Sequence, residues 1–144
     1  MLQSVNLMIY IDDVEKVAAF FEQAAGTPRI SEETMIDGSK TITVPVLPEA
    51  SLQFFSRAFI QKYSPEVALN SPSIMFYVDD LASAHARLLQ MGATVNEIVL
   101  VGSQQTFNFA IRRAIGTRLL KKTFKSWLPL TLAECRSRRR LTDK

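Results

Sequence analysis

Two pairs of aspartates are the residues in this sequence most suggestive of chemistry. Asp12-Asp13 and Asp79-Asp80 each follow a short apolar run, and paired carboxylates can perform acid–base catalysis. The same residues suit a structural task, because an aspartate just before an amphipathic stretch accepts hydrogen bonds from the first N–H groups of a helix. Their position between a strand-like run and a helical pattern favours capping over catalysis.

Other reactive side chains are few. His85 is the only histidine, and it has no partners at the spacing of a metal site, so we expect it on the flank of a helix. Cys135 is the only cysteine, and no histidine pattern accompanies it to make a catalytic thiol. One cysteine permits no internal disulfide. Together with an N-terminus that carries no secretion signal, it favours a cytoplasmic location.

The aspartate pairs belong to a segment that the chain contains twice. Residues 7–23 and 74–90 align at a constant offset of 67 positions. The identical pairs are Met8/Met75, Tyr10/Tyr77, Asp12/Asp79, Asp13/Asp80, Ala19/Ala86 and Gln23/Gln90. Each copy reads as a strand that runs directly into a helix, so the repeat predicts two similar folding modules.

The first module is predicted as β-α-β-β-β. Its first strand, residues 5–11, is apolar on both faces, which is typical of a strand in the interior of a sheet. A helix follows and ends near Gly26, and strands are predicted at 29–36, 40–47 and 51–57. Asp37-Gly38 is a hairpin signal between the first two of these strands.

The second module begins in the same way and lacks the same ending. The pattern predicts a strand over 73–78, a helix over 81–91, and strands over 94–101 and 105–110. A fourth strand is then missing or replaced. The predicted organisation is module one at 1–58, a linker at 59–72, an incomplete βαββ module at 73–110 and a basic tail at 111–144.

Paired modules of this kind resemble the vicinal oxygen chelate superfamily. That superfamily includes glyoxalase I, bleomycin-resistance proteins, type I extradiol dioxygenases and PhnB-like proteins. The resemblance rests on an apolar strand, an aspartate followed by Val14 or Leu81, and a short helix, and it covers residues 1–110. It implies an α+β fold in which two βαβββ modules form a half-open cleft of mixed β-sheet.

The resemblance also implies where a metal would bind. In metal-using members a ligand lies seven residues before the capping aspartate of each module, and a third lies on the last strand of module one. Those positions hold Asn6, Ser73 and Gln53, whose amide and hydroxyl groups are poor ligands for zinc, nickel or iron. We therefore expect no metal, no cofactor and no catalytic residue. The alternative is a metal-dependent enzyme of the glyoxalase or dioxygenase type.

The predicted cleft suits a small organic ligand. The strand period of two places mainly apolar and aromatic residues, with a few amides and hydroxyls, on one side of the strands. These candidates are Asn6, Met8, Tyr10, Gln53, Phe55, Ser73, Met75 and Tyr77. An alternative is that the methionines and tyrosines form core between the modules. By resemblance, the chain forms a homodimer and sequesters a compound, as bleomycin-resistance proteins do.

The tail differs in charge from the rest of the chain. Residues 1–110 hold 6 Lys/Arg and 12 Asp/Glu, net −6, whereas residues 111–144 hold 11 and 2, net +9. The acidic body favours a cationic ligand. Three interpretations of the tail compete: a basic amphipathic helix for an anionic surface, a nucleic-acid arm built on residues 136–140, and a frameshift. No apolar run is long enough to span a membrane, and apolar spacing favours a helix over 111–128.

The frameshift can be checked against the genetic code. Members of the superfamily usually follow such a strand with Asp-Pro, a small or acidic residue, Gly-Asn and an aromatic strand. Back-translation of residues 110–117 with a one-base shift permits, among other residues, Asp, Pro, Glu or Ser, Gly, Asn, Trp and Tyr in that order. A frameshift after Ala110 is therefore our leading hypothesis, and it is rejected if no one-base change in the encoding DNA restores that continuation.

Overall fold

The structure is a computed structural model that describes residues 1–111 and the backbone of residues 120–126. Its elements form two modules, each with one helix after its first strand. Module one contains β1 (Val5–Ile11), α1 (Val14–Ala25), β2 (Ser31–Thr34), β3 (Lys40–Leu47), β4 (Ala50–Ser56) and α2 (Arg57–Tyr63). Module two contains β5 (Ile74–Val78), α3 (Leu81–Gln90), β6 (Thr94–Val95), β7 (Val99–Val101), β8 (Gln104–Ile111) and β9 (Leu120–Ser126). The α+β class and the two modules confirm the predicted fold.

Each module builds one mixed sheet with the same connectivity. In sheet one the order is β1-β4-β3-β2, with β1 parallel to β4 and β3 antiparallel to it. In sheet two the order is β5-β9-β8-β6, with β7 also paired to β8. There β9 is parallel to β5 and antiparallel to β8. Thus β9 occupies in module two the place that β4 occupies in module one.

Helix α1 lies at the centre of the core. Asp13 caps its start, and Gly26 ends it in the left-handed conformation at φ 72°, which glycine adopts without steric cost. The apolar face of α1, formed by Val14, Val17, Ala18 and Phe21, is buried. The Phe21 ring lies 5.5 Å from that of Phe54 in sheet one and 6.2 Å from that of Phe76 in sheet two. One helix therefore joins the two sheets.

Four local predictions need correction. The first strand lies at the edge of sheet one, not in its interior, since β1 pairs with β4 alone among the described strands. Part of the predicted linker is helix α2, because the Ser56 hydroxyl caps it and Ile60 is buried. The strand predicted at 94–101 is divided into β6 and β7 around residues 96–98, where the Asn96 N–H bonds to the Asn108 carbonyl.

The fourth correction concerns the start of the tail. A helix was expected over 111–128, but residues 120–126 form strand β9. The open place between β5 and β8 explains this result, because a chain that enters it can pair its backbone on both sides whatever its side chains are. The predicted last strand is thus replaced, not absent.

Candidate functional site

The predicted site residues of module one share a single face of sheet one. Met8 pairs with Gln53, and Tyr10 pairs with Phe55, on the neighbouring strands β1 and β4. Asn6, two residues before Met8 on β1, lies on the same face and pairs with Ser51 on β4. We call this surface the outer face of sheet one, because Ile9 and the other alternate residues of β1 face the core.

This outer face combines apolar surface with aromatic contact. The Tyr10 and Phe55 rings meet edge to face with centroids 6.4 Å apart, an arrangement favoured by the ring quadrupoles. Phe55 is buried and Tyr10 is half-buried, whereas Met8 is 46% exposed. A large apolar side chain is therefore left open beside the amide of Gln53.

Residues of β2 and β3 extend the face and were not predicted as part of it. Thr43 pairs with Gln53, and Ser31 pairs with Thr43, so a polar row continues across the sheet from Met8. Glu33 pairs with Thr41 in the next row, at the side of the sheet farthest from β1. The alternation of residues 41–45 was a usable signal for the threonines, but the position of Glu33 depends on hairpin register.

The remaining candidates lie in module two. Met75 and Tyr77 are on β5, 41% and 58% exposed, and they point away from the core that Phe76 contacts. Ser73 precedes the strand and is exposed, so it lies outside the sheet ladder. Strand β9 runs beside β5, with Thr123 and Lys125 in register with Met75 and Tyr77. We call this the outer face of sheet two.

One chain does not bring the two outer faces together. Phe54 and Phe76 both contact Phe21, and each lies on the side of its strand opposite to the predicted site residues. The surface with Gln53 and the surface with Tyr77 therefore point away from the shared core. The eight candidates therefore lie on two separate surfaces of a single chain, one in each module.

The aspartate pairs have structural roles. Asp13 accepts a hydrogen bond from the Lys16 N–H at 3.1 Å, and Asp80 accepts from the Ser83 N–H at 3.0 Å. The pKa of Asp80 is lowered, mainly by the backbone bond from Ser83 and then by the Ser83 hydroxyl, so this carboxyl is held ionised. Capping is confirmed for these two residues.

Asp12 has a different partner, which the sequence did not indicate. Its carboxylate lies 3.3 Å from Nε of Arg57, at the start of α2. The same guanidinium donates to the Tyr10 carbonyl and to the Leu69 carbonyl, each at 3.1 Å. Arg57 therefore fastens the end of β1 to the segment that leads into module two.

His85 is a structural residue, as expected from its isolation in the sequence. Its Nε2 lies 2.9 Å from the Asn96 carbonyl oxygen, and its ring meets that of Phe107 edge to face with centroids 4.9 Å apart. These contacts tie α3 to the break between β6 and β7 and to strand β8. Cys135 and the basic run at 136–140 lie outside the described residues.

The residues at the metal-ligand positions of the resembled superfamily do not fit such a metal. Asn6 and Gln53 lie on the neighbouring strands β1 and β4 of sheet one, and Ser73 lies in module two. Amides and a hydroxyl offer weak donors for zinc, nickel or iron. Across residues 1–111, no three His, Cys, Asp or Glu side chains are grouped to hold a metal ion.

Residues 3–110 match the family described as the Glyoxalase/Bleomycin resistance protein/Dioxygenase superfamily. The chain belongs to this superfamily. The match ends at Ala110, where the sequence changes from an acidic to a basic character. Among the curated proteins, none matches the chain.

Solved structures share the fold of this superfamily member at low sequence identity. A superfamily protein from Sphaerobacter thermophilus DSM 20745 has a TM-score of 0.65 and 15% identity, covering 88% of this chain and 98% of its own. The glyoxalase family protein from Enterococcus faecalis gives 0.60 and 14%, over 87% and 96%. TnmS3, an antibiotic binding protein from Streptomyces sp. CB03234, gives 0.59 and 15%, over 88% and 98%. In the described part of the chain, every helix is too short or too polar to cross a membrane.

Proposed function

We propose that this protein binds a small organic molecule, without a metal, in a cleft that two copies of the chain complete. The observation that carries the proposal is an aromatic and methionine-rich surface left open on each sheet. Met8, Met75 and Tyr77 are between 41% and 58% exposed. Apolar area with a few ordered polar groups is what a small-molecule site requires.

A second copy supplies what one chain lacks. The outer face of sheet one from one copy opposes the outer face of sheet two from its partner, so Gln53 and Tyr77 line the same cleft. β1 is an edge strand among the described strands of sheet one, and an open edge favours pairing between chains. A twofold dimer then contains two equal sites.

The preferred ligand is an organic cation with aromatic character. Residues 1–110 carry a net charge of −6, and Glu33 adds a carboxylate to the outer face of sheet one. Tyr10, which is half-buried, offers ring surface to which a cation is attracted. Sequestration is the proposed role, and one solved structure of the same fold is that of an antibiotic binding protein.

Fluorescence titration with proflavine, a planar aromatic cation, tests the proposal. We expect saturable binding that Gln53→Leu weakens about tenfold, since loss of a hydrogen bond to the ligand costs about 1.4 kcal/mol. Glu33→Gln should weaken binding less, and its effect should shrink in high salt. Gln61→Leu, the same change at an exposed site on α2, is the matched control and should leave binding unchanged.

Two results would contradict the proposal. One is proflavine affinity that is equal in the wild type, Gln53→Leu and Gln61→Leu proteins. The other is stoichiometric zinc, nickel or iron in the purified protein, measured by elemental analysis, because a bound metal would favour the enzymatic alternative.

A further inference from the structure

We infer that the space between the two modules is a second binding site, which takes a neutral aromatic molecule. This inter-module cavity lies beside Phe21 and is bounded by α1, the end of β3, β5 and β8. Its volume is about 360 Å³. Ligand pockets commonly span ~300–1,000 Å³, so the cavity has room for a small two- or three-ring compound.

Aromatic rings form one side of the inter-module cavity. Phe21 comes from α1, Phe76 from β5 and Phe109 from β8. The Phe21 and Phe76 rings are tilted by 39° at a centroid distance of 6.2 Å, so they do not close on each other as a stack. Phe21 and Phe109 are at most 3% exposed and form the fixed base of the cavity, whereas Phe76 is half-buried and presents more of its ring to a ligand.

Small residues leave the space open. Ala24 and Ala25, in the last turn of α1, contribute only methyl groups, and Val46 also lines the cavity. Every described residue that lines the cavity is uncharged. An ion entering it would lose hydration without gaining a charged partner, so a neutral occupant is favoured.

The remaining side is polar because it is the edge of a strand. Four consecutive residues, 75–78, border the cavity, although side chains alternate between the faces of a sheet. They can do so only if the backbone edge of β5 itself faces the space. β5 ends its sheet, with β9 on its other side. A ligand with one N–H or O–H group can therefore donate to a carbonyl along this edge.

Binding of N-phenyl-1-naphthylamine tests this site. The compound is neutral and aromatic, carries one N–H donor, and brightens in apolar surroundings. We expect one saturable site per chain in the wild type. Ala24→Leu should reduce affinity at least tenfold, because the added side chain occupies the cavity. Ala25→Leu fills it from the neighbouring position and serves if Ala24→Leu does not fold, as judged by circular dichroism.

Two controls separate this site from the cleft on the outer faces. Ala86→Leu makes the same change at an exposed position of α3 and should bind the probe like the wild type. Gln53→Leu alters the outer face only and should also leave binding unchanged, whatever it does to proflavine. The inference is wrong if the wild type shows no saturable binding, if the folded cavity variants keep wild-type affinity, or if Gln53→Leu abolishes it.

Discussion

Module one and module two share a short repeated sequence, but the helices formed by the two copies pack differently. Both run a strand into an aspartate-capped helix, yet α1 buries Val14, Val17, Ala18 and Phe21, whereas α3 buries only Leu81 and Leu88. Position 21 is phenylalanine in the first copy and its counterpart at 88 is leucine. Helix α1 therefore packs against both sheets, whereas helix α3 covers sheet two. The residues shared by the two copies determine the local strand and helix structure. The residues that differ between the copies determine how the two modules pack together.

The largest expected difference concerns Phe54 and Phe76, the partners of Phe21 in the two sheets. Phe54 is fully buried and Phe76 is half-buried. We expect Phe54→Ala to lower the free energy of unfolding by about 3–5 kcal/mol, and Phe76→Ala by about half of that. Urea unfolding of both variants measures the two losses. Equal losses would mean that the modules share the core evenly.

The next effect depends on Arg57, which fastens module one to the linker. Arg57→Met should cost about 2 kcal/mol, because it leaves the Tyr10 and Leu69 carbonyls without their charged donor. The matched control is Lys62→Met on the same short helix, which should stay within about 0.5 kcal/mol of wild type. If both variants unfold alike, Arg57 has no special role.

The shared feature of the modules predicts similar effects. Asp13→Ala and Asp80→Ala should each lower the melting temperature by a few degrees, since each removes one helix cap. Asp79→Ala, beside the second cap, is the control and should have little effect. Thermal unfolding measures all three. A loss at Asp13 several times that at Asp80 would show that the copies are not equivalent even locally.

The smallest effect is a pH dependence located in module one. Arg29 contacts Glu15, Glu22 and Glu32, and its side-chain hydrogen bonds lower the pKa of Glu22 below the ordinary 4.5. A lowered folded pKa gives stability that is present above pH 4.5 and is lost as the pH falls through the folded value. Arg29→Met should therefore cost about 1 kcal/mol at pH 7 and less on acidification. An equal cost at every pH would contradict this.

Much of the local structure was readable from the sequence. The caps, the Gly26 stop and the Asp37-Gly38 hairpin depend on neighbouring residues, and the structure confirms them: Gly38 has φ 82°, and Met35 bonds to Ser39 across the turn. Alternation along β1 and β4 also placed Met8, Tyr10, Gln53 and Phe55 on one face.

What the sequence could not supply depends on distant contacts. The edge position of β1 follows from which strand pairs with it, and a two-sided apolar pattern fits an edge strand whose second face is open just as well. The packing of Phe21 against both sheets, which places the two groups of candidate residues on separate surfaces, could not be read from the sequence. β9 has no family-like sequence, and its backbone pairs because β5 and β8 leave a place for it. The frameshift stays a prediction, as does the cytoplasmic location.

Complementation between two defective chains tests the central claim, that the site combines sheet one of one copy with sheet two of another. Gln53→Leu and Tyr77→Ala would be coexpressed in equal amounts and titrated with proflavine. Each variant alone should bind weakly. Random twofold pairing gives one intact site in every mixed dimer, so about a quarter of the wild-type sites should return. Two results would contradict the account. One is a confirmed mixed dimer in which no proflavine-binding sites return, and the other is a protein that stays monomeric and yet binds proflavine with wild-type affinity.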